Sequence, residues 1–185
     1  MANEPASAVA ARLERIDWTR VAQDLDEQGW SHLAGLLSVS DCRALIRQYE
    51  GDETFRSTID MERYRFGRGQ YRYFTYPLPP VVDELRRLCY AQLAGVANAW
   101  MTRLGKEAVF PIALADYLRT CHAAGQKRPT PLLLRYGPGD FNCLHQDLYG
   151  EHVFPIQVTF LLSEPGKDFT GGEFVLTEQR PRMQS

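Results

Sequence analysis

Pro129 and Pro131 divide this 185-residue chain into two kinds of polypeptide. Before them, apolar residues recur at helical spacing. After them, short β-prone runs are separated by proline and glycine. Helices first and strands second is the order of an α+β fold, not of the alternating units that build a parallel sheet. The length is that of one domain. The expectation is an N-terminal helical region over 1–130 and a β-core that begins at 131, in a single fold unit.

Local chemistry marks the helices. Ser7 is placed to cap a helix over 8–16, after a frayed start at 1–6, and Asp17 to cap one from Trp18 to Gln28 closed by Gly29. Residues 30–36 read as a short strand. Ser40 is expected to cap a third helix from Asp41 to Tyr49, ended by Gly51. Leu85, Leu88, Cys89, Leu93, Val96, Ala97 and Trp100 mark a long amphipathic helix over 81–104, and Pro111 is placed to open another that runs to Ala124. Between them, residues 63–66 and 71–76 read as a hairpin joined by Gly67-Arg68-Gly69. Beyond Pro131 the β-like runs are 132–136, 156–162 and 173–177, with 156–162 expected as a central strand.

The net charge of −2 argues against a basic nucleic-acid binder overall, but it conceals a pattern. Residues 61–130 carry 11 basic and 5 acidic side chains, against 6 and 11 in residues 1–60 and 4 and 7 in residues 131–185. The middle of the chain can therefore present a positive face. No apolar run of about 18 residues indicates a membrane span. Cys42, Cys89, Cys121 and Cys143 are widely spaced and form no Cys-x-x-Cys pair. No signal peptide is evident, so the expectation is a cytoplasmic protein with free thiols.

His145-Gln146-Asp147 carries the chemistry. An imidazole and a carboxylate two residues apart, after a Pro138-Gly139 turn, can offer two ligands to one metal. They are two-thirds of the facial triad that holds non-haem Fe(II) with open positions. The structural alternative is a packed His145 and an Asp147 that caps a turn. Cys143 would soften such a site, but partners at zinc spacing are absent from the sequence. Nucleotide-loop and serine-hydrolase signatures are absent as well.

Arg135-Tyr136-Gly137-Pro138-Gly139, then four residues, then Leu144-His145-Gln146-Asp147, resembles the metal-binding segment of the Fe(II)- and 2-oxoglutarate-dependent dioxygenases. The nearest likeness is to AlkB-type nucleic-acid demethylases. The Tyr-Gly-x-Gly…His-x-Asp frame is shared with prolyl-hydroxylase-type members, as is Thr170-Gly171-Gly172-Glu173-Phe174. The resemblance covers roughly residues 132–178. It implies a double-stranded β-helix, a jelly-roll core. It also implies His145 and Asp147 as iron ligands and Tyr136 beside the 2-oxoglutarate. The implied activity is oxidative demethylation of alkylated bases in DNA or RNA. Hydroxylation of a protein side chain or small molecule by the same chemistry is the alternative. A third reading is a non-catalytic module that binds nucleic acid or a partner.

The chain departs from the family pattern in two places. Leu134 stands where AlkB-type proteins have an asparagine. The distal histidine and the arginine for 2-oxoglutarate are not found, since His152 is too close and Arg180 and Arg182 follow no suitable histidine. The expectation is that both lie beyond Ser185, the chain being C-terminally truncated and inactive alone. The rival is a short protein whose third ligand is Glu173, His152 or water.

Arg63, Arg65, Arg68 and Arg72, interleaved with Tyr64, Phe66, Tyr71, Tyr73 and Phe74, suit a nucleic-acid surface. A hairpin with its aromatics in the core and its arginines in water explains the alternation equally well. Tyr149 and Glu151 are candidate substrate contacts, or parts of a surface loop. His32 and His122 read as structural or surface residues, and Arg86, Arg87, Lys127 and Arg128 as solvated charges.

Overall fold

The computed structural model of the chain describes residues 7–148 and 150–178. Helices dominate its first part. α1 (Ala8–Leu13) is capped by Ser7, whose hydroxyl accepts from the Ala10 amide. α2 (Trp18–Gln28) is capped by Asp17 and closed by Gly29 in the left-handed conformation, as the sequence predicts. α3 (Val39–Gln48) starts earlier than expected, with Ser38 rather than Ser40 as its cap. The reason is reciprocity. Ser38 Oγ accepts from the Asp41 amide, and the Asp41 carboxylate accepts from the Ser38 amide at 2.9 Å, which satisfies two end donors at once. Residues 30–36 form no strand.

α4 (Pro80–Arg103) is the long helix, with proline at its first turn, where no amide partner is needed. It carries two apolar clusters. Val9 and Leu13 of α1 meet Leu36, Leu85, Cys89 and Leu93 in the first. Tyr90, Ala94 and Ala97 meet Phe110, Tyr117 and Cys121 in the second. α5 (Leu114–Ala123) begins later than Pro111. The Asn98 side chain bonds both backbone groups of Phe110, at 2.7 and 3.0 Å, and holds the preceding chain in a non-helical course. No helix among the described residues is long and apolar enough to cross a membrane. The four cysteines are unpaired.

The strands form two small antiparallel sheets. β1 (Phe55–Asp60), β3 (Gln70–Phe74) and β4 (Leu132–Arg135) make one, in the order β1-β3-β4. Ile59 faces Tyr71 and Leu134 faces Tyr71 on the other side. β2 (Gly67–Arg68) pairs with β5 (Phe141–Asn142) in the second. The expected hairpin is therefore redrawn. Its second arm is β3, but its partner is β1, a polar run with no alternation to betray it. Residues 62–64 are instead a single 3₁₀ turn, followed by Arg65 in the left-handed region.

The mixed α+β class holds, with small antiparallel sheets and no closed barrel among the described residues. Residues 156–162 and 173–177 join no ladder there. Residues 173–177 are exposed throughout, and in 156–162 Val158 is exposed beside Gln157 and Thr159, so exposure does not alternate cleanly. Phe154, Ile156 and Phe160 lean on the helical clusters, while Gln157, Thr159 and Leu161 face outward. A strand needs a hydrogen-bonded neighbour, and the described residues supply none to this segment.

Candidate functional site

The segment 136–147 is built from the turn outward. Tyr136 follows β4 directly. Gly137 accepts from the Asp140 amide at 3.1 Å, and the Asp140 carboxylate accepts from the Gly137 amide at 2.7 Å, which locks the Gly137-Pro138-Gly139 turn. The chain then enters β5. Gly67 opposes it with φ +137°, and a Cβ there would lie 2.1 Å from the Phe141 carbonyl oxygen. Only glycine lets the two backbones approach so closely.

One residue past β5, the Cys143 amide donates to the Phe66 carbonyl at 2.8 Å. The Cys143 carbonyl lies 2.7 Å from His145 Nδ1. A carbonyl can only accept, so Nδ1 carries a proton, and Nε2 is the ring nitrogen left to face a metal. Nε2 lies 3.5 Å from Asp147 Oδ1. The other carboxylate oxygen, Oδ2, accepts from the Gln157 side-chain amide at 2.8 Å. Each side chain thus has one atom engaged by a neighbour and one atom turned toward the other side chain.

That arrangement suits a metal. Bonds of about 2.0–2.2 Å to imidazole nitrogen and carboxylate oxygen put adjacent ligand atoms about 3 Å apart, close to the observed 3.5 Å. Both side chains are nearly half exposed. Among the described residues neither is consumed as a packed histidine or a turn cap. Among the described residues no group of three or more His, Cys, Asp or Glu could hold a metal, so neither His152 nor Glu173 completes a triad. Gln126 instead brackets the His152 backbone, donating to its carbonyl and accepting from its amide. Tyr149, Arg180 and Arg182 lie outside the described residues.

Tyr136 follows β4 and faces a neighbouring hollow. Its ring sits against Gly69, where a Cβ would lie 2.9 Å from Cδ1. It borders a shallow hollow of about 420 Å³ with Asp60, Gly69, Gln70, Arg135, Gly137 and Asp140, which His145 and Asp147 do not line. Burial raises its hydroxyl pKa; a hydrogen bond with Asn142 pulls the other way, and nearby Asp140 adds to the rise. It therefore stays protonated at neutral pH and can donate to an anion.

The arginine–aromatic series divides. Arg72 is buried and structural. Its guanidinium donates to the carbonyls of Tyr49 and Gly51 at 2.6 and 2.8 Å, pairs with Asp52, and lies over the Phe55 ring. Phe74 is fully buried. Arg63, Tyr64, Arg65, Phe66 and Arg68 are all exposed. Gln157 was not singled out from the sequence. It lies ten residues beyond Asp147, and nothing in its local pattern announces that the fold brings it back.

The fold and this pair define a class: an α+β chain with a His-x-Asp pair on the segment that follows a short strand and a glycine turn. Residues 69–185 match the model of a family described as an oxygenase catalysing oxidative methylation of damaged DNA, and the chain belongs to that family. The uncharacterized proteins MT2286 and Rv2227, from two strains of Mycobacterium tuberculosis, are each 54% identical to it over 112 residues. The match covers 60% of this chain and 48% of each relative, so the chain spans about half the length of the curated relatives it matches. No solved structure matches it.

Proposed function

We propose that the protein is an Fe(II)- and 2-oxoglutarate-dependent dioxygenase that removes alkyl damage from DNA bases by oxidation, on a jelly-roll core. The observation that carries the reading is the pair itself: His145 Nε2 and Asp147 Oδ1 converge at 3.5 Å while Nδ1 and Oδ2 are held by other groups. An oxygenase family that acts on damaged DNA supports the substrate class. Bound Fe(II) would supply oxygen activation at the expense of 2-oxoglutarate.

The chain's own residues have definite parts. His145 and Asp147 would hold the metal through Nε2 and Oδ1. The Cys143 carbonyl fixes the imidazole tautomer, and Gln157 keeps the carboxylate from turning its second oxygen inward. Tyr136, kept protonated, would donate its hydroxyl to a carboxylate of 2-oxoglutarate.

The test is succinate release from 2-oxoglutarate with a methylated oligonucleotide and, separately, with peptides. His145→Ala and Asp147→Ala are each expected to abolish turnover. Turnover that persists in both variants sinks the iron assignment. Turnover with peptides alone moves the substrate to protein side chains.

A further inference from the structure

The loop from Met61 to Gly69 is held as a rigid platform. The Met61 amide donates to the Gly69 carbonyl at 3.0 Å, and the Met61 carbonyl accepts from the amides of Tyr64 and Phe66 at 3.2 and 3.0 Å. The Met61 side chain is fully buried beneath it. On this base stand Tyr64 and Phe66, 57% and 44% exposed, with their rings 5.6 Å apart and 17° from parallel. Water-exposed aromatic rings that lean on each other leave their outer faces open to a further flat partner.

The charges around them are cationic on balance. Arg63, Arg65 and Arg68 are exposed. Their nearest carboxylates hold them loosely, with Asp60 3.8 Å from Arg63 and Asp140 3.9 Å from Arg68. Glu62 is the one acidic residue within the loop. Surface pairs this long contribute little and yield readily to a phosphate.

The platform is also fixed relative to the candidate site. Phe66 accepts from the Cys143 amide, and Cys143 accepts from His145 Nδ1. Two hydrogen bonds through one residue separate the aromatic pair from the first ligand.

From these observations we infer that the 61–69 loop is a docking platform for single-stranded DNA, with bases stacking on Tyr64 and Phe66 and phosphates meeting Arg63, Arg65 and Arg68. The partner rests on the proposed activity at DNA; the assignment of this loop does not. A ring face stacks only with a base that has left its own stack, which selects an unpaired strand over a duplex. The platform would then grip the strand beside a base presented to His145 and Asp147.

The experiment is fluorescence anisotropy of a labelled single-stranded oligonucleotide and its duplex, titrated with the full chain over a range of salt. Tyr64→Ala with Phe66→Ala is expected to weaken single-strand binding about tenfold or more. Tyr64→Phe with Phe66→Tyr keeps the rings and should bind as the parent does. Arg63→Ala, Arg65→Ala and Arg68→Ala together should reduce the slope of log affinity against log salt by about 2. Mn²⁺ titration of the same variants, unchanged from the parent, shows that the neighbouring site remains folded. Unchanged single-strand affinity in the double alanine variant overturns the proposal. So does equal, ring-dependent binding of duplex, or no DNA binding by the parent. Ring-dependent DNA binding without any 2-oxoglutarate turnover would instead leave the platform standing and remove the dioxygenase reading.

Discussion

At the scale of the residue, Gln157 matters more than its lack of charge implies. Its amide satisfies Asp147 Oδ2 and so determines which oxygen faces His145. Outer partners of metal ligands typically change affinity 10–100-fold when removed. Gln157→Ala is therefore expected to lower Mn²⁺ affinity about tenfold, read by calorimetry, with the helical circular dichroism unchanged. Affinity equal to the parent's would show that Asp147 is oriented without it. His145 and Asp147 stand out in the sequence because their types and spacing are chemistry in themselves. Gln157 does not, because its role comes from the fold that returns the chain past Asp147. The arginines show the same limit. Sequence alternation treats Arg68 and Arg72 alike, yet one is solvated and the other lies buried among the carbonyls of Tyr49 and Gly51.

At the scale of the element, cap chemistry explains both the successes and the slips. Asp17 and Gly29 bound α2 because their preferences act within one turn of chain. Ser38 displaced Ser40 because its bond to Asp41 is answered by Asp41 in return. The Ser38 hydroxyl and the Ser38 amide both donate to the Asp41 carboxylate and, with Arg12 at 3.0 Å, hold that carboxyl below the usual carboxylate range. A lowered folded pKa stabilises above the unfolded value and is lost as pH falls toward the folded one. Ser38→Ala should cost about 1 kcal/mol at neutral pH. Asp41→Asn should destabilise at neutral pH and by less at about pH 3, which lies below the unfolded carboxylate value of about 3.9, where the contribution of a lowered folded pKa is already falling. Urea unfolding at the two pH values checks this, and an equal loss at both would contradict it. β1 escaped notice for the opposite reason. Arg56, Ser57, Thr58 and Asp60 carry no apolar rhythm, and the strand exists because β3 lies beside it.

At the scale of the whole molecule, the helical clusters on α4 are closed, while the β side presents apolar groups to water. Leu134, Phe141, Leu144, Leu161, Phe174, Val175 and Leu176 are all more than 40% exposed. Residues 156–162 expose Val158 and Leu161 and pair with nothing among the described residues. Unpaired backbone beside exposed apolar side chains can pair with a second chain. This chain in isolation should therefore self-associate as its concentration rises, seen as growing mass in light scattering. Replacing outward-facing Leu161 by lysine should suppress it without loss of helix content. A strictly monomeric chain at high concentration would show that this backbone is covered within the molecule. The α+β class was legible from the order of elements, since periodicity reports each segment separately. Which strands pair was not, because pairing is a property of two segments at once.

The link between the 61–69 loop and His145 passes through the amide and carbonyl of Cys143. Neither group depends on which side chain position 143 carries. Substitutions there can accumulate by drift without severing the connection, provided they are not proline, which alone lacks the amide. Relatives that look unalike at this position would still share the same wiring. A comparison of their side chains would miss it, and only their backbones would reveal it.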